Sequence, residues 1–256
     1  MLSNIIEIII LSIVQGISEF LPISSSAHLN IVEVIFKFNS NSLMIDVSLH
    51  LGSLLAIIFY FRRELLDLKS NRKLLFLIII GSIPLIIAGY IVSTTGIINL
   101  LEDNLKVIAW TTLIFGLILY LADKSKFDKK ISSNLKFKTI LCIGLFQILA
   151  LIPGVSRAGI TITAARLFSF NRFDSSKISF LLAIPAIAGA SILQLKNAVE
   201  QNFEFNYLIL ISITLSFLFS YSTVKFFLEY INKFSLNVFV IYRIIISIIL
   251  FIIIYN

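Results

Sequence analysis

The chain has 256 residues, 58% of them hydrophobic and only 14% charged, with a mean hydropathy of +1.00. A soluble domain carries about 25% charged residues, so these values exclude a disordered chain, a coiled coil and an ordinary soluble enzyme. The formal charge is +7, but in so apolar a chain the placement of charges says more than their sum, and no nucleic-acid partner is indicated.

The apolar residues come in long blocks, such as 74–80 and 244–255. That pattern predicts an all-α polytopic membrane protein. A β-barrel would show alternating segments of about ten residues, and none is present. A single cysteine, Cys142, rules out a disulfide framework and a Cys-based metal cluster, and it reads as a small core hydrophobe. With only His28 and His50, a multi-histidine metal site is excluded too.

In chain order, the first region, 3–38, is apolar but interrupted by SEFLPISSSAH at 18–28. Three blocks follow, roughly 47–61, 74–93 and 106–122, each long enough to cross a bilayer. A second interrupted region covers 139–169, broken by PGVSRAG at 153–159. Three more blocks close the chain, roughly 177–196, 206–222 and 238–255. Each break leaves short apolar arms and survives at membrane depth only where protein or a wet cavity surrounds it. Both regions read as re-entrant helix–turn–helix hairpins, with a full first span over 3–21 as the alternative. Pro84 and Pro185 mark kinks within spans.

Hairpin and three spans thus occur twice, with corresponding spans about 130 residues apart. SLLAII at 53–58 resembles FLLAIP at 180–185, and Gln15 corresponds to Gln147. Three crossings per half is odd, so the second half enters from the opposite side. The prediction is one membrane domain over 1–256 built as an inverted-topology repeat. Repeat 1 covers about 1–125 and repeat 2 about 136–256, joined by a basic cytoplasmic linker at about 123–138.

Charge asymmetry fixes the orientation. Loops 62–73, 123–138, 169–177 and 223–237 together hold fifteen Lys and Arg residues, against Lys37, Lys106 and Lys196 on the other side. Asp46, Glu102, Asp103, Glu200 and Glu204 accompany those three. The positive-inside rule puts the basic loops in the cytoplasm and both termini outside. The first hairpin then dips from the outer face and the second from the cytoplasm. No secretory signal peptide is expected, for want of a basic n-region and a small-residue cleavage site.

Arg157, Arg166 and Arg243 belong to no loop. Arg166 and Arg243 are expected near helix ends, where they can snorkel. Arg157 falls at the second tip, and Glu19 and His28 near the first. Ionisable residues at membrane depth cost several kcal/mol (~2.5–3.5 for Arg) and mark functional paths. At the first tip Pro22 disfavours helix in the residue before it, and Ser24, Ser25 and Ser26 offer an N-cap for a second arm. Free backbone N–H groups at such a helix start make an anion site. His28 shares a face with Ser24 and Ser25, and Gln15 shares one with Glu19. At the second tip Ser156 caps, and Arg157, Gly159 and Thr161 follow. Helix N-termini, hydroxyls, one Arg, one His and one Glu suit a phosphate or diphosphate better than a carboxylate. The plainer readings are serines that satisfy backbone carbonyls, a structural Glu19–Arg157 pair and a hydrogen-bonded core His28. His50, without a second signal beside it, reads as structural.

At these tips the sequence resembles the bacterial undecaprenyl-diphosphate phosphatase family, the bacitracin-resistance type. The matching stretches are QGISEFLPISSSAHL (15–29), SLHLGSLLA (48–56), PGVSRAGITITAARL (153–167) and SFLLAIPA (179–186). The resemblance covers essentially the whole chain. It implies an enzyme of the bacterial inner (plasma) membrane with its site open to the outer face. The implied reaction converts the C55 polyprenyl diphosphate to the monophosphate, recycling the lipid carrier for cell-wall synthesis. It also implies a divalent cation, Mg²⁺ or Ca²⁺, and a polyprenyl diphosphate lipid as partner; a homodimer is an alternative to a monomer. The family's acidic motif falls on Gln15 and Glu19, its Ser-Ser-x-x-His on Ser24, Ser25 and His28, and its Pro-Gly-x-Ser-Arg on Pro153, Gly154, Ser156 and Arg157. Where many members continue Ser-Gly-Ser-Thr, this chain has Ala158, Gly159, Ile160 and Thr161.

Glu19, Ser25, His28 and Arg157 are therefore the expected catalytic group. Ser24, Ser26, Ser156, Arg157, Thr161 and Gln15 are expected on the phosphates, and Glu19 with Gln15 on the cation. The nucleophile is left open between Ser25 or Ser24 activated by His28 and a water activated by Glu19 or His28. The rival function is a transporter or flippase of polyprenyl phosphate or another anion using the same midplane site; a purely structural membrane subunit is disfavoured by the three ionisable residues at depth.

Overall fold

The computed structural model describes residues 2–36, 43–96, 104–124, 129–200 and 206–255. Lys37, Glu102, Asp103, Lys126 and Glu204, used above for orientation, lie outside the described residues. Among the described residues the structure is helical, with one isolated bridge between Lys129 and Phe170 and no strand.

The first interrupted region forms α1 (Leu2–Ser18) and α2 (Ser25–Phe36). Then come α3 (Leu43–Tyr60), the short α4 (Arg62–Leu66), α5 (Leu68–Thr95) and α6 (Leu105–Asp123). After a short α7 (Ile131–Asn134), the second interrupted region forms α8 (Phe137–Gln147), a 3₁₀ turn (Ile148–Leu151) and α9 (Arg157–Leu167). α10 (Arg172–Glu200), α11 (Tyr207–Ile231) and α12 (Asn237–Tyr255) complete the chain.

Six of these helices (α3, α5, α6, α10, α11 and α12) are long and apolar enough to cross a membrane. They match the six predicted blocks, with α5, α10 and α11 extending further than their hydropathy marked. Polar caps set several of their starts: Asn104 Oδ1 accepts from the N–H groups of Lys106 and Val107, and Asn206 Oδ1 from those of Leu208 and Ile209. Pro84 and Pro185 both sit inside continuous helices.

The second region repeats the order of the first at a constant spacing. Ser24 and Ser156, both with positive φ (77° and 72°), are 132 residues apart. The starts of α2 and α9 are separated by the same 132 residues, and so are the 19-residue helices α6 and α12.

The interior joins an apolar core to many buried hydroxyls, and the outer surface is apolar as well. Ile79, Ile87 and Ile91 on α5 and Ile241, Ile248 and Ile252 on α12 are exposed. Ser53 of α3, by contrast, lies buried with its Oγ 3.1 Å from Ser216 Oγ and 2.9 Å from Ser220 Oγ of α11. Hydroxyl pairs of this kind hold helices together where lipid gives no hydrophobic drive. A multi-pass membrane protein follows from the six apolar helices and their lipid-suited outer faces.

The basic loops gather at one end. Lys177 Nζ lies 3.0 Å from Glu64 Oε1. Asp123 accepts from Arg172 Nε at 2.7 Å and from the Leu236 N–H at 3.1 Å. The described residues of loops 62–73, 123–138, 169–177 and 223–237 therefore share a face of the bundle.

Candidate active site

The two chain breaks meet inside the bundle. Both serine corners adopt positive φ, a conformation uncommon outside glycine, which Ser169 beyond α9 also adopts. At the second tip Gly154 has φ 84°, and an added Cβ would lie 2.2 Å from Thr111 Oγ1. Only glycine therefore lets this turn press against α6, where Thr111 Oγ1 donates to the Pro153 carbonyl at 2.6 Å. Ser156 then caps α9 by accepting from the Gly159 N–H at 3.1 Å. Thr111 and Arg243 are each the seventh residue of a 19-residue helix, α6 and α12. Both touch the tips, which places the tips within the thickness those helices span.

Arg157, the first residue of α9, reaches the other break. Its Nη2 lies 2.9 Å from Glu19 Oε1 and 3.3 Å from the Glu19 carbonyl, and Nη1 is 3.4 Å from the Ser179 carbonyl of α10. Its guanidinium also lies 6.0 Å from the Phe20 ring. Glu19 is thus shared. Its second oxygen, Oε2, accepts from Ser25 Oγ at 2.7 Å and from Gln15 Nε2 at 3.1 Å. The side chains of Arg157 and Glu19 are 12% and 7% exposed, so the pair is sheltered but still reachable. Removing one partner of such a pair leaves a buried charge, at a cost of about 3–5 kcal/mol.

His28 and Ser25 do not face each other as the nucleophile–base pairing expected. His28 Nδ1 donates to the Ser24 carbonyl at 2.6 Å, and Nε2 lies 2.7 Å from Tyr242 Oη. Ser25 Oγ instead donates to Glu19 Oε2. Ser24 Oγ is 3.5 Å from Ser26 Oγ, and Ser26 is exposed. Thr161 is turned away: its hydroxyl bonds to the Arg157 carbonyl at 2.8 Å and to Ser179 Oγ at 2.6 Å, bracing α9 against α10. His50 Nδ1 donates to the Asp46 carbonyl at 2.9 Å within its own helix.

Arg243 and Arg166 do not snorkel. Arg243 is 1% exposed, the largest fully buried side chain among the described residues. Its five N–H donors meet five carbonyls: Thr112 at 3.0 Å, Pro22 at 3.2 Å, Val155 at 3.1 Å, Thr111 at 3.5 Å and Gly154 at 2.9 Å. One guanidinium so ties the first tip, the second tip and α6. Gly159 leaves it room, since a Cβ there would lie 3.1 Å from Arg243 Nη1. Arg166 is 3% exposed and donates to the carbonyls of Phe170 at 2.6 Å and Asp123 at 3.1 Å. Arg166 does lie in the last turn of α9, as expected, and Arg243 is the seventh residue of α12, but both guanidiniums turn inward onto backbone carbonyls instead of reaching out to an interface.

No group of three or more His, Cys, Asp or Glu that could hold a metal occurs among the described residues. The first tip nevertheless offers hard oxygens. Gln15 Oε1 is buried without a partner, beside the Glu19 carboxylate. One carboxylate and one amide oxygen suit Mg²⁺ or Ca²⁺ when substrate phosphates complete the shell.

Two helix breaks joined inside a polytopic bundle, with a guanidinium, a carboxylate and hydroxyls in contact, define an integral membrane protein built to bind a polyanion. The chain belongs to the family described as Bacitracin resistance protein BacA, which matches residues 8–249. It is 88% identical to a protein of Pelagibacter ubique named "Undecaprenyl-diphosphatase", over the full length of both chains. Relatives of the same name from Elusimicrobium minutum and Geotalea daltonii are 39% and 40% identical, covering 96% and 94% of this chain and 97% and 95% of their own.

Proposed function

We propose that this chain is an integral membrane phosphatase that hydrolyses undecaprenyl diphosphate to the monophosphate and phosphate, returning the lipid carrier to cell-wall synthesis. The observation that carries this reading is the chain of contacts Arg157–Glu19–Ser25 across the two tips, in a chain whose relatives bear the diphosphatase name.

Phosphoryl transfer depends chiefly on neutralising charge and holding the reacting atoms in line. Arg157 supplies a planar fork for the terminal phosphate, and the starts of α2 and α9 turn backbone N–H groups toward it. Ser25, already donating to Glu19, is the nucleophile the geometry favours. Its proton passes to Glu19 Oε2 as Oγ bonds to the terminal phosphorus and the lipid monophosphate departs. Water then releases phosphate from Ser25, with His28 as the second acid–base group. Glu19 and Gln15 would hold the divalent cation, which when bound offsets the diphosphate charge.

The two repeats are inverted in the bacterial inner membrane, with the hairpins re-entrant from opposite faces. The basic end faces the cytoplasm, both termini lie outside and the site opens outward.

The test is phosphate release from a polyprenyl diphosphate by purified protein in detergent, with and without Mg²⁺ or Ca²⁺, beside Glu19→Gln. Cation-dependent release that the variant loses is expected. Well-folded protein that binds the lipid but releases no phosphate would make the site that of an anion carrier.

A further inference from the structure

Tyr242 belongs to none of the motifs at the two tips, yet it holds the histidine of the cluster. His28 Nδ1 lies 2.6 Å from the Ser24 carbonyl oxygen. A carbonyl only accepts, so Nδ1 carries the proton and Nε2 of the neutral ring keeps its lone pair. Tyr242 Oη, 2.7 Å from Nε2, must then be the donor. The two rings also stack, with centroids 5.5 Å apart and planes within 12°. This contact joins the first hairpin to α12, 214 residues along the chain. Tyr242 is 37% exposed, whereas its neighbour Arg243 is 1% exposed. Consecutive residues of α12 thus serve different parts of the site: Arg243 locks the backbone of both tips from inside, and Tyr242 meets the histidine at the margin.

We propose that Tyr242 is a positioning residue of this site: the Ser24 carbonyl sets His28 as the Nδ1–H tautomer, and the Tyr242 hydroxyl and ring hold Nε2, its one basic atom, and the ring plane in place. Which nitrogen of a histidine is available is set by the bond the other makes. Here both bonds agree, and stacking removes the remaining freedom of the ring. The effect on turnover rests on the phosphatase reading; the tautomer does not.

The experiment uses the whole protein in detergent with ¹⁵N-labelled histidine. The chain has two histidines, so the spectrum of His50→Gln assigns the His28 signals. Neutral His28 is expected to show a protonated Nδ1 and a hydrogen-bonded, unprotonated Nε2. In Tyr242→Phe the Nε2 resonance should move to the position of a free lone pair while Nδ1 stays protonated. Turnover of a polyprenyl diphosphate should fall about tenfold or more in kcat, within the range of acid–base contributions, with KM little changed. In a His28→Ala background the same substitution should cost nothing further. A wild-type His28 protonated on Nε2, or a His28 spectrum unmoved in Tyr242→Phe, would overturn the proposal. Equal fractional losses in both backgrounds would reduce Tyr242 to packing and overturn it as well. A spectral change in a protein whose wild type releases no phosphate would sink the phosphatase reading while keeping Tyr242 as the partner of His28.

Discussion

The two helix breaks share a backbone plan and divide the chemistry between them. Each turns on a serine of positive φ, 132 residues apart, directly before a helix start. At that start the first break has Ser25 and the second has Arg157. Glu19 corresponds to Leu151 and His28 to Ile160 at the same spacing. Gln15 donates to Glu19, while its counterpart Gln147 is buried with neither amide atom partnered. On the function proposed above, the first tip would carry the acid–base and nucleophilic groups, and the second the guanidinium that neutralises the phosphate. One duplicated backbone device has been given two roles, and neither tip is a complete site alone.

Substitutions break that division to different depths. Glu19→Gln removes the group both tips share and should lower phosphate release by about 10³-fold, within the range for acid–base groups. A residual rate within tenfold of wild type would move the acid–base chemistry elsewhere. Arg157→Lys keeps the charge but loses the fork, and a loss of about 100-fold is expected, comparable to removing one transition-state donor. Near-normal turnover would free the second tip from any catalytic part. Ser25→Ala should match that loss while Ser24→Ala stays within about tenfold, given the general worth of an acid–base partner. Equal small effects would favour attack by water. Arg243→Met should act on stability before rate. It leaves five carbonyls short of a donor, at about 1–3 kcal/mol for each that stays buried and unsatisfied. Thermal unfolding in detergent would show it as a large drop, and an unchanged melting temperature would mean the tips need no such tie. Thr161→Ala should have the smallest effect on turnover, because its hydroxyl serves Ser179 and the Arg157 carbonyl rather than the tip.

The same contrast explains what was legible in the sequence. The spans could be read because lipid demands long apolar runs, and α3, α5, α6, α10, α11 and α12 fall where the runs are. Both breaks could be read because Pro22, Pro153 and their serines interrupt such runs. Glu19 and Arg157 stand out in the sequence as charges at depth and as a candidate ion pair, and the structure brings them to 2.9 Å. Arg243 escaped because its partners are backbone carbonyls, which any residue type supplies. Tyr242 escaped for a related reason: in an apolar helix a tyrosine resembles other aromatics until a histidine 214 residues away meets its hydroxyl. Thr161 was placed on the phosphates by motif position, but the helical turn after Arg157 carries it toward α10.

The central claim is that the two tips form one site, and a double-mutant cycle tests it most directly. Phosphate release from a polyprenyl diphosphate would be measured for wild type, Glu19→Gln, Arg157→Lys and the double variant. If Glu19 and Arg157 act on the same phosphate, the double variant should lose little more than Glu19→Gln alone, since residues acting as a unit are far from additive. Losses that multiply in full would place the two tips in separate events and contradict a shared site.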